Sequence, residues 1–241
     1  MSKRDRYYAS PIGSVPDFSF NEAVVQVFDD MIERSVPGYA SVIALTGQLA
    51  ARFAGAQDAV YDLGCSTGAS LFSMRQHLPH TVRLIGIDTS APMIEQCRAN
   101  LDKQASGCDV ALIEGDVAAT TFEPAAFFAL NFTLQFIPTE QRAPLISRIA
   151  KATRPGGALV LSEKIRFDDA HQQQLHTDMH HEFKRRQGYS DLEISQKRSA
   201  LEQVMHPETL DTHRQRLRAA GYRSCEVWFQ CFNFMSLVAI R

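Results

Sequence analysis

The residues best suited to chemistry lie in the run Val60-Tyr61-Asp62-Leu63-Gly64-Cys65-Ser66-Thr67-Gly68. An apolar strand ends in an acid and passes into a glycine-rich turn. Gly64 lets a ligand approach bare backbone, and the following helix would offer free N–H groups at its start. A complete G-x-G-x-x-G would suit the pyrophosphate of a dinucleotide; D-L-G-C-S-T-G departs from it. The alternative is a glycine turn that only packs helix on strand. A second acid, Asp88, ends the apolar run Leu84-Ile85-Gly86-Ile87, one strand–helix unit later. In nucleoside-binding α/β sheets an acid there accepts hydrogen bonds from ribose hydroxyls, and Thr89 would sit beside it against the base. The alternative is that Asp88 caps a helix starting at Ser90-Ala91-Pro92. Glu114-Gly115-Asp116-Val117 and Asn131 follow at matching places in the next two units. All four would stand at carboxyl ends of strands, where open α/β sheets bind ligands.

These residues need a parallel sheet to align them, and the chain reads as one. From residue 59, short apolar runs alternate with amphipathic stretches: 59–64, 82–88, 109–116, 126–132 and 158–164. Alternation of this length implies parallel strands covered by helices on both faces. ASLFSMRQHL, APMIEQCRANLDKQ and TEQRAPLISRIAKATR are the intervening helices, the last with Thr139 as N-cap and Pro155-Gly156-Gly157 as its stop. Ahead of them, 20–55 is helical, with apolar positions at helical spacing and a break at Pro37-Gly38 before Tyr39. The segment 165–220 is polar, helical in pattern and holds six of the eight histidines. Runs 224–232 and 235–241 then form an antiparallel pair at the sheet edge, connected tightly near Asn233. The expected division is a helical lead (1–57), a ligand-binding core (58–164), a helical insertion or cap (165–206), and a last helix and hairpin completing the core (207–241).

Composition narrows the function classes. The chain has 241 residues, 45% of them hydrophobic, which suits one embellished domain. A net charge of -2 gives no global sign of a nucleic-acid backbone as partner, and direct nucleic-acid binding is not expected. The start lacks a stretch of signal-peptide character, and no run of membrane-spanning length occurs. Cys65, Cys97, Cys108, Cys225 and Cys231 are odd in number and form no C-x-x-C pair, as scattered reduced thiols of a cytoplasmic protein would be. His176 and His180 stand four apart on one helix, with His181 and His206 nearby, but no H-E-x-x-H or supporting ligand spacing accompanies them. They are read as surface or capping histidines, and no metal is expected.

The order of elements resembles the class I S-adenosylmethionine-dependent methyltransferase fold, a Rossmann-like seven-stranded sheet with a reversed last strand, over about 58–164 and 207–241. D-L-G-C-S-T-G resembles that superfamily's first motif. Asp116 would then receive the adenine amine, the Val117 N–H would donate to the ring, and Asn131 would lie where the methionine part is read. Asn131-Phe132-Thr133-Leu134 lacks the Asn/Asp-Pro-Pro-aromatic motif of many amino-group methyltransferases, which argues against amine substrates. The likeness sharpens in RSVPGY (34–39), VYDLGCS (60–66), LNFTLQF (130–136), RPGGALVLSEK (154–164), MHHEFKR (179–185), GYSDLEISQKRSALE (188–202) and VWFQCFNF (227–234). Together they resemble the carboxy-S-adenosyl-L-methionine synthase family, and the insertion carries most of the weight because ordinary methyltransferases lack it.

That resemblance implies conversion of S-adenosyl-L-methionine and prephenate to carboxy-S-adenosyl-L-methionine and phenylpyruvate. The product would supply the carboxymethyl group for tRNA wobble uridine (uridine-5-oxyacetic acid) modification by another enzyme. A methyl proton leaves, and the resulting sulfonium ylide captures carbon dioxide released by prephenate. The hydroxide leaving prephenate is the implied base, since no side chain stands out for that role. The resemblance gives Arg198 the new carboxylate, which a guanidinium grips bidentately, reaching in from the partner of a homodimer. It also sets Tyr39 as a wall of the same region. Pattern alone would leave Arg198 a solvated helix residue and Tyr39 a packing aromatic. The backbone at Gly64, Cys65 and Ser66, with Asp88, Thr89, Asp116, Val117 and Asn131, would hold the nucleoside. The rival readings are a small-molecule methyltransferase on the same fold and a non-catalytic S-adenosylmethionine-binding protein.

Overall fold

Central strands buried on both faces read as unbroken apolar runs, and β1 (Ala59–Leu63) and β4 (Ala125–Asn131) are such strands, every β1 residue being buried. The computed structural model describes residues 3–104 and 107–241. β2 (Arg83–Asp88), β3 (Asp109–Glu114), β5 (Thr153–Lys164), β6 (Ser224–Cys231) and β7 (Phe234–Ile240) complete one sheet of order β3-β2-β1-β4-β5-β7-β6. β1 to β5 pair in parallel, and β7 runs antiparallel to both neighbours. The seven-stranded, reversed-strand architecture expected above is what forms. The chain leaves β1 toward β2 on one side and β4 on the other, so the sheet has its switch point at the tip of β1.

Two apolar layers cover the sheet. One packs Leu145, Ile146 and Ile149 of α6 (Thr139–Ala152) and Leu217 of α9 (Leu210–Ala219) on Tyr61, Phe128 and Leu159. The other packs Ala50 of α3 (Tyr39–Phe53), Leu71 and Met74 of α4 (Ala69–His77), and Ile94 and Cys97 of α5 (Ala91–Leu101) on Val60, Leu84 and Phe127.

Three local readings need correction. The expected first helix of the lead is two, α1 (Glu22–Val25) and α2 (Phe28–Ser35), because the Val27 N–H closes a tight turn on Val24 before Met31 resumes helical bonding on Val27. Thr139 is the first helical residue, not the N-cap. Pro138 takes that place with φ -50, and its carbonyl accepts from Gln141. That helix stops at Ala152, ahead of Pro155-Gly156-Gly157, because Thr153 already pairs with Ala125. The glycines instead form an irregularity in β5. Gly156 has φ +77 and exchanges hydrogen bonds with the terminal Arg241 through the Gly156–Gly157 backbone.

The insertion folds as α7 (Ala170–Arg186) and α8 (Asp191–Glu202), the latter opened by a Ser190/Glu193 capping box. It packs on the lead. Gln196 donates to the Tyr8 and Ser10 carbonyls and accepts from the Ile12 N–H. Arg34 bonds the Gln187 carbonyl and lies 4.0 Å over the Tyr189 ring, whose hydroxyl donates to Asp5 at 2.5 Å. Lead and insertion therefore roof the same edge of the sheet.

A buried guanidinium ties this roof to the core. Arg142 of α6 is 0% exposed, donates to the carbonyls of Gln135, Ile137 and His206, and pairs with Glu208 at 2.7 Å. Arg142→Ala would strand the Ile137 and His206 carbonyls and half of the Glu208 pairing, while Gln135 would keep the His206 N–H. A loss of about 3–5 kcal/mol is expected from breaking such a buried pair, read as a drop in the urea unfolding midpoint.

Candidate active site

A cavity of about 460 Å³ opens over the carboxyl ends of β1, β2 and β4. Its size lies in the range that takes a small organic ligand. Tyr39, Gly64, Cys65, Ser66, Asp88, Thr89, Asp116, Val117 and Asn131 all line it. Nine of the ten residues expected at the site thus come together. Eight do so because strand tips in a parallel sheet all emerge at one edge, and Tyr39 joins them from the start of α3.

The turn that precedes α4 uses its own amides within the protein. Gly64 and Cys65 both donate to the Ile87 carbonyl, at 2.8 and 3.0 Å, and Ser66 N–H donates to Asp88 Oδ2 at 2.8 Å. Those amides are spent in clamping β1 to β2, so the turn offers a ligand close backbone contact. Gly64 has φ +80, and a Cβ there would meet Thr133 Oγ1 at 2.2 Å. Its bareness admits the β4 loop as much as a ligand. Behind the turn, Asp62 is buried with Oδ2 lacking a hydrogen-bond partner among the described residues. Burial, then the Asp88 charge, pushes its carboxyl up to about 8, against the Leu71 N–H.

Asp88 is not the helix cap. Ser90 is, accepting from the Met93 N–H. Each Asp88 oxygen accepts one backbone N–H, from Ser66 and from Ser90 at 2.9 Å. A carboxylate has about four acceptor positions, so capacity remains toward the cavity. Burial raises its pKa while the Ser90, Ser66 and Thr89 amides pull it down. Asp116 is exposed at the rim and accepts from the Ala118 N–H at 2.7 Å, whereas Val117 is buried beside it.

The Asn131 side chain is committed to the protein. Its amide donates to Ser70 at 3.0 Å and Thr46 at 3.4 Å, and its Oδ1 lies 2.6 Å from Ser162 Oγ. It joins α3, α4 and β5 beneath the pocket, which leaves backbone as its means of touching a ligand. Tyr39 packs at 6.0 Å from Phe132. Burial first, then Asp29, Asp62 and Glu33, raises the phenol pKa, so it stays protonated. Glu163, fully buried, accepts from the Leu134 and Gln135 amides at 3.0 and 2.9 Å and so holds the 3₁₀ turn Leu134–Phe136 against the cavity. Burial, opposed first by Arg142, pushes it up to about 8.

Arg198 is the expected residue that the fold does not bring in. It is exposed and is not among the cavity-lining residues, while the adjacent Lys197 is. Consecutive helix residues point about 100° apart, and the turn of α8 that buries Lys197 sends Arg198 outward.

The cavity also holds side chains that sequence reasoning did not assign. Lys164, His180, Lys184 and Lys197 line its far end. His180 is 4% exposed, which corrects its reading as a surface or capping histidine, and its Nε2 meets the Ser35 carbonyl at 2.8 Å. Burial, followed by Lys184 and Lys164, lowers it from 6.5 to about 2. Lys197 donates to Ser35 Oγ at 2.9 Å. The available signal was the four-residue spacing of His180 and Lys184, which puts both on one face of α7. His176 stacks on Phe167 at 4.4 Å. Among the described residues no three His, Cys, Asp or Glu side chains gather to hold a metal, and no helix is long and apolar enough to cross a membrane.

Comparison with known proteins agrees with this geometry. A methyltransferase-domain family model matches residues 60–157. The carboxy-S-adenosyl-L-methionine synthase of Pseudomonas entomophila is 54% identical over 246 residues, covering 100% of both chains. That of Klebsiella pneumoniae is 50% identical over 242 residues, covering 100% of this chain and 98% of its own. Human N-acetylserotonin methyltransferase, solved in complex with SAM, superposes with a TM-score of 0.62 at 15% identity, over 92% of this chain and 56% of that one, a likeness of fold.

Gly64→Ala combines a left-handed φ with the Thr133 contact. Strain of this kind costs on the order of 1–3 kcal/mol, and the clash adds to it. A lower denaturation midpoint in the ligand-free protein is the expected result, by chemical unfolding.

Proposed function

The chain belongs to the carboxy-S-adenosyl-L-methionine synthase family, and from that premise we propose that it converts S-adenosyl-L-methionine and prephenate to carboxy-S-adenosyl-L-methionine, phenylpyruvate and water. The observation that carries this reading is identity of 54% running the full length of a relative of that name, through the insertion whose helices wall the far end of the cavity. Prephenate loses carbon dioxide and hydroxide as its ring becomes aromatic. The hydroxide takes a proton from the sulfonium methyl, forming water, and the carbanion attacks the carbon dioxide to leave a carboxylate. Atoms and charge balance without a further reactant.

The residues suit these steps. Asp88 has acceptor capacity for ribose hydroxyls, Thr89 and the Val117 amide flank the base, and Asp116 stands at the rim for its amine. Gly64, Cys65 and Ser66 bring backbone close to the nucleoside. Tyr39, Phe132 and Phe136 line the reacting end with rings, and exclusion of water there protects the carbanion from reprotonation. Close holding of carbon dioxide replaces a bimolecular encounter.

Arg198 is assigned to the new carboxylate. Its outward position supports a homodimer in which each copy lends this guanidinium to its partner's cavity. The product then serves a separate enzyme that modifies tRNA wobble uridine. Five free cysteines suit a cytoplasmic location.

Two measurements test this. Incubation with S-adenosyl-L-methionine and prephenate, followed by mass spectrometry, should yield a nucleoside heavier by one carbon dioxide; accumulation of S-adenosylhomocysteine, or no product, rejects the reading. Arg198→Ala should weaken carboxy-S-adenosyl-L-methionine by roughly 2–5 kcal/mol, as for loss of one partner of a buried charge pair, and the parent compound far less. Equal weakening by calorimetry removes Arg198 from its role.

A further inference from the structure

The cavity is electrically polarised along the sheet. Asp88 stands at the tip of β2 and Asp116 beyond β3, while Lys164 ends β5. Three interstrand steps separate β2 from β5, roughly 14 Å at the usual strand spacing. Lys184 of α7 and Lys197 of α8 reach the Lys164 end from the roof. Lys184 and Lys197 are each 7% exposed. Among the described residues, none of the three takes part in an ion pair.

A buried ammonium without a counter-charge costs several kcal/mol, and three around one space also repel one another. The direct contacts are neutral: Lys197 donates to Ser35 Oγ, and Lys164 Nζ lies 6.0 Å from the Phe234 ring centroid; the Asp5 and Asp30 carboxylates favour the Lys197 charge only from farther off. His180 stays neutral between Ser35 and Phe234, so it supplies no negative charge. Burial pulls Lys164 and Lys197 down to about 8 and Lys184 well below its ordinary value, the last also through Lys197 and Lys164. A ligand carboxylate would supply the counter-charge that Lys164 and Lys184 lack among the described residues. A sulfonium nucleoside does not supply enough of it, since its one carboxylate is offset by its own positive charges.

We propose that Lys164, Lys184 and Lys197 form the subsite for the dicarboxylate co-substrate, Lys164 approaching from the sheet and Lys184 and Lys197 from the insertion, with the rings of Phe132 and Phe234 against its carbocycle. This rests on the reading given under Proposed function and names the contacts for its second substrate. Phe132 and Phe234 lie 6.3 Å apart in an edge-on arrangement and are both buried, which suits the apolar body of such a ligand. The subsite also explains why the insertion is built onto this fold: it supplies two of the three amines.

The test uses Lys164→Met and Lys184→Met, since neither amine makes a hydrogen bond among the described residues, with Lys184→Arg as the charge-keeping control. Binding of prephenate to protein loaded with S-adenosylhomocysteine, which has no methyl to react, is measured by calorimetry; S-adenosylmethionine is titrated separately and thermal midpoints are recorded. Each Met variant should weaken prephenate at least tenfold, leave S-adenosylmethionine within twofold, and unfold at the same or a higher temperature because an uncompensated charge is gone. Lys184→Arg should recover part of the affinity. Unchanged prephenate binding overturns the proposal. Parallel loss of S-adenosylmethionine also overturns it, by assigning the amines to the methionine carboxylate. A Met variant that unfolds early with no recovery in Lys184→Arg counts against it as well, marking the lysine as structural. If wild-type protein makes no carboxylated product yet binds prephenate through these lysines, the reaction assigned above fails and the subsite stands.

Discussion

Two backbone N–H groups, of Gly64 and Cys65, converge on the carbonyl of Ile87, and the shape of the pocket depends on that convergence. It forces the chain to turn sharply off β1 and ties the turn to the tip of β2. Ser66 then meets Asp88, which is thereby aimed along the sheet edge. The turn leaves no room for a side chain at Gly64, since Thr133 occupies the place a Cβ would take. Backbone geometry at one residue therefore positions three strand tips. The same bonds commit the Gly64, Cys65 and Ser66 amides to the protein itself.

The roof is held by charge in the opposite manner. Arg142 is buried and fully partnered, with three carbonyls and Glu208 around it. Lys164, Lys184 and Lys197 are also buried at the cavity, but none of them forms an ion pair among the described residues. The contrast separates a guanidinium that fastens the 206–208 segment to the core from amines that wait for an anion. A stability optimum would have paired or removed the lysines; their persistence in an apolar cavity trades stability for binding.

Lead and insertion, distant in sequence, act as one cover. Arg34, Tyr189, Asp5 and Gln196 link them by bonds that span more than 150 residues in several cases. Ser35 at the end of α2 shows the consequence at the site, its hydroxyl meeting Lys197 and its carbonyl His180. A helix C-terminus is partially negative, and the polar atoms of the insertion gather on it.

The sequence by itself determined the sheet and the nucleoside half of the site. Apolar runs, glycine turns and acids at strand ends are local signals, and parallel pairing brings every strand tip to one edge, so Gly64, Asp88, Asp116 and Asn131 could be placed together from spacing alone. It also carried the family likeness in the insertion. Only the tertiary structure decided which residues of that insertion face inward. On α8, Lys197 and Arg198 are neighbours of the same charge, and their pattern does not say which is buried; the docking of α8 on the lead does. His180 reads as one polar residue among many until α2 and Phe234 close around it. Burial is a property of what packs against a residue from afar, and polar helices carry no strong periodic signal of it.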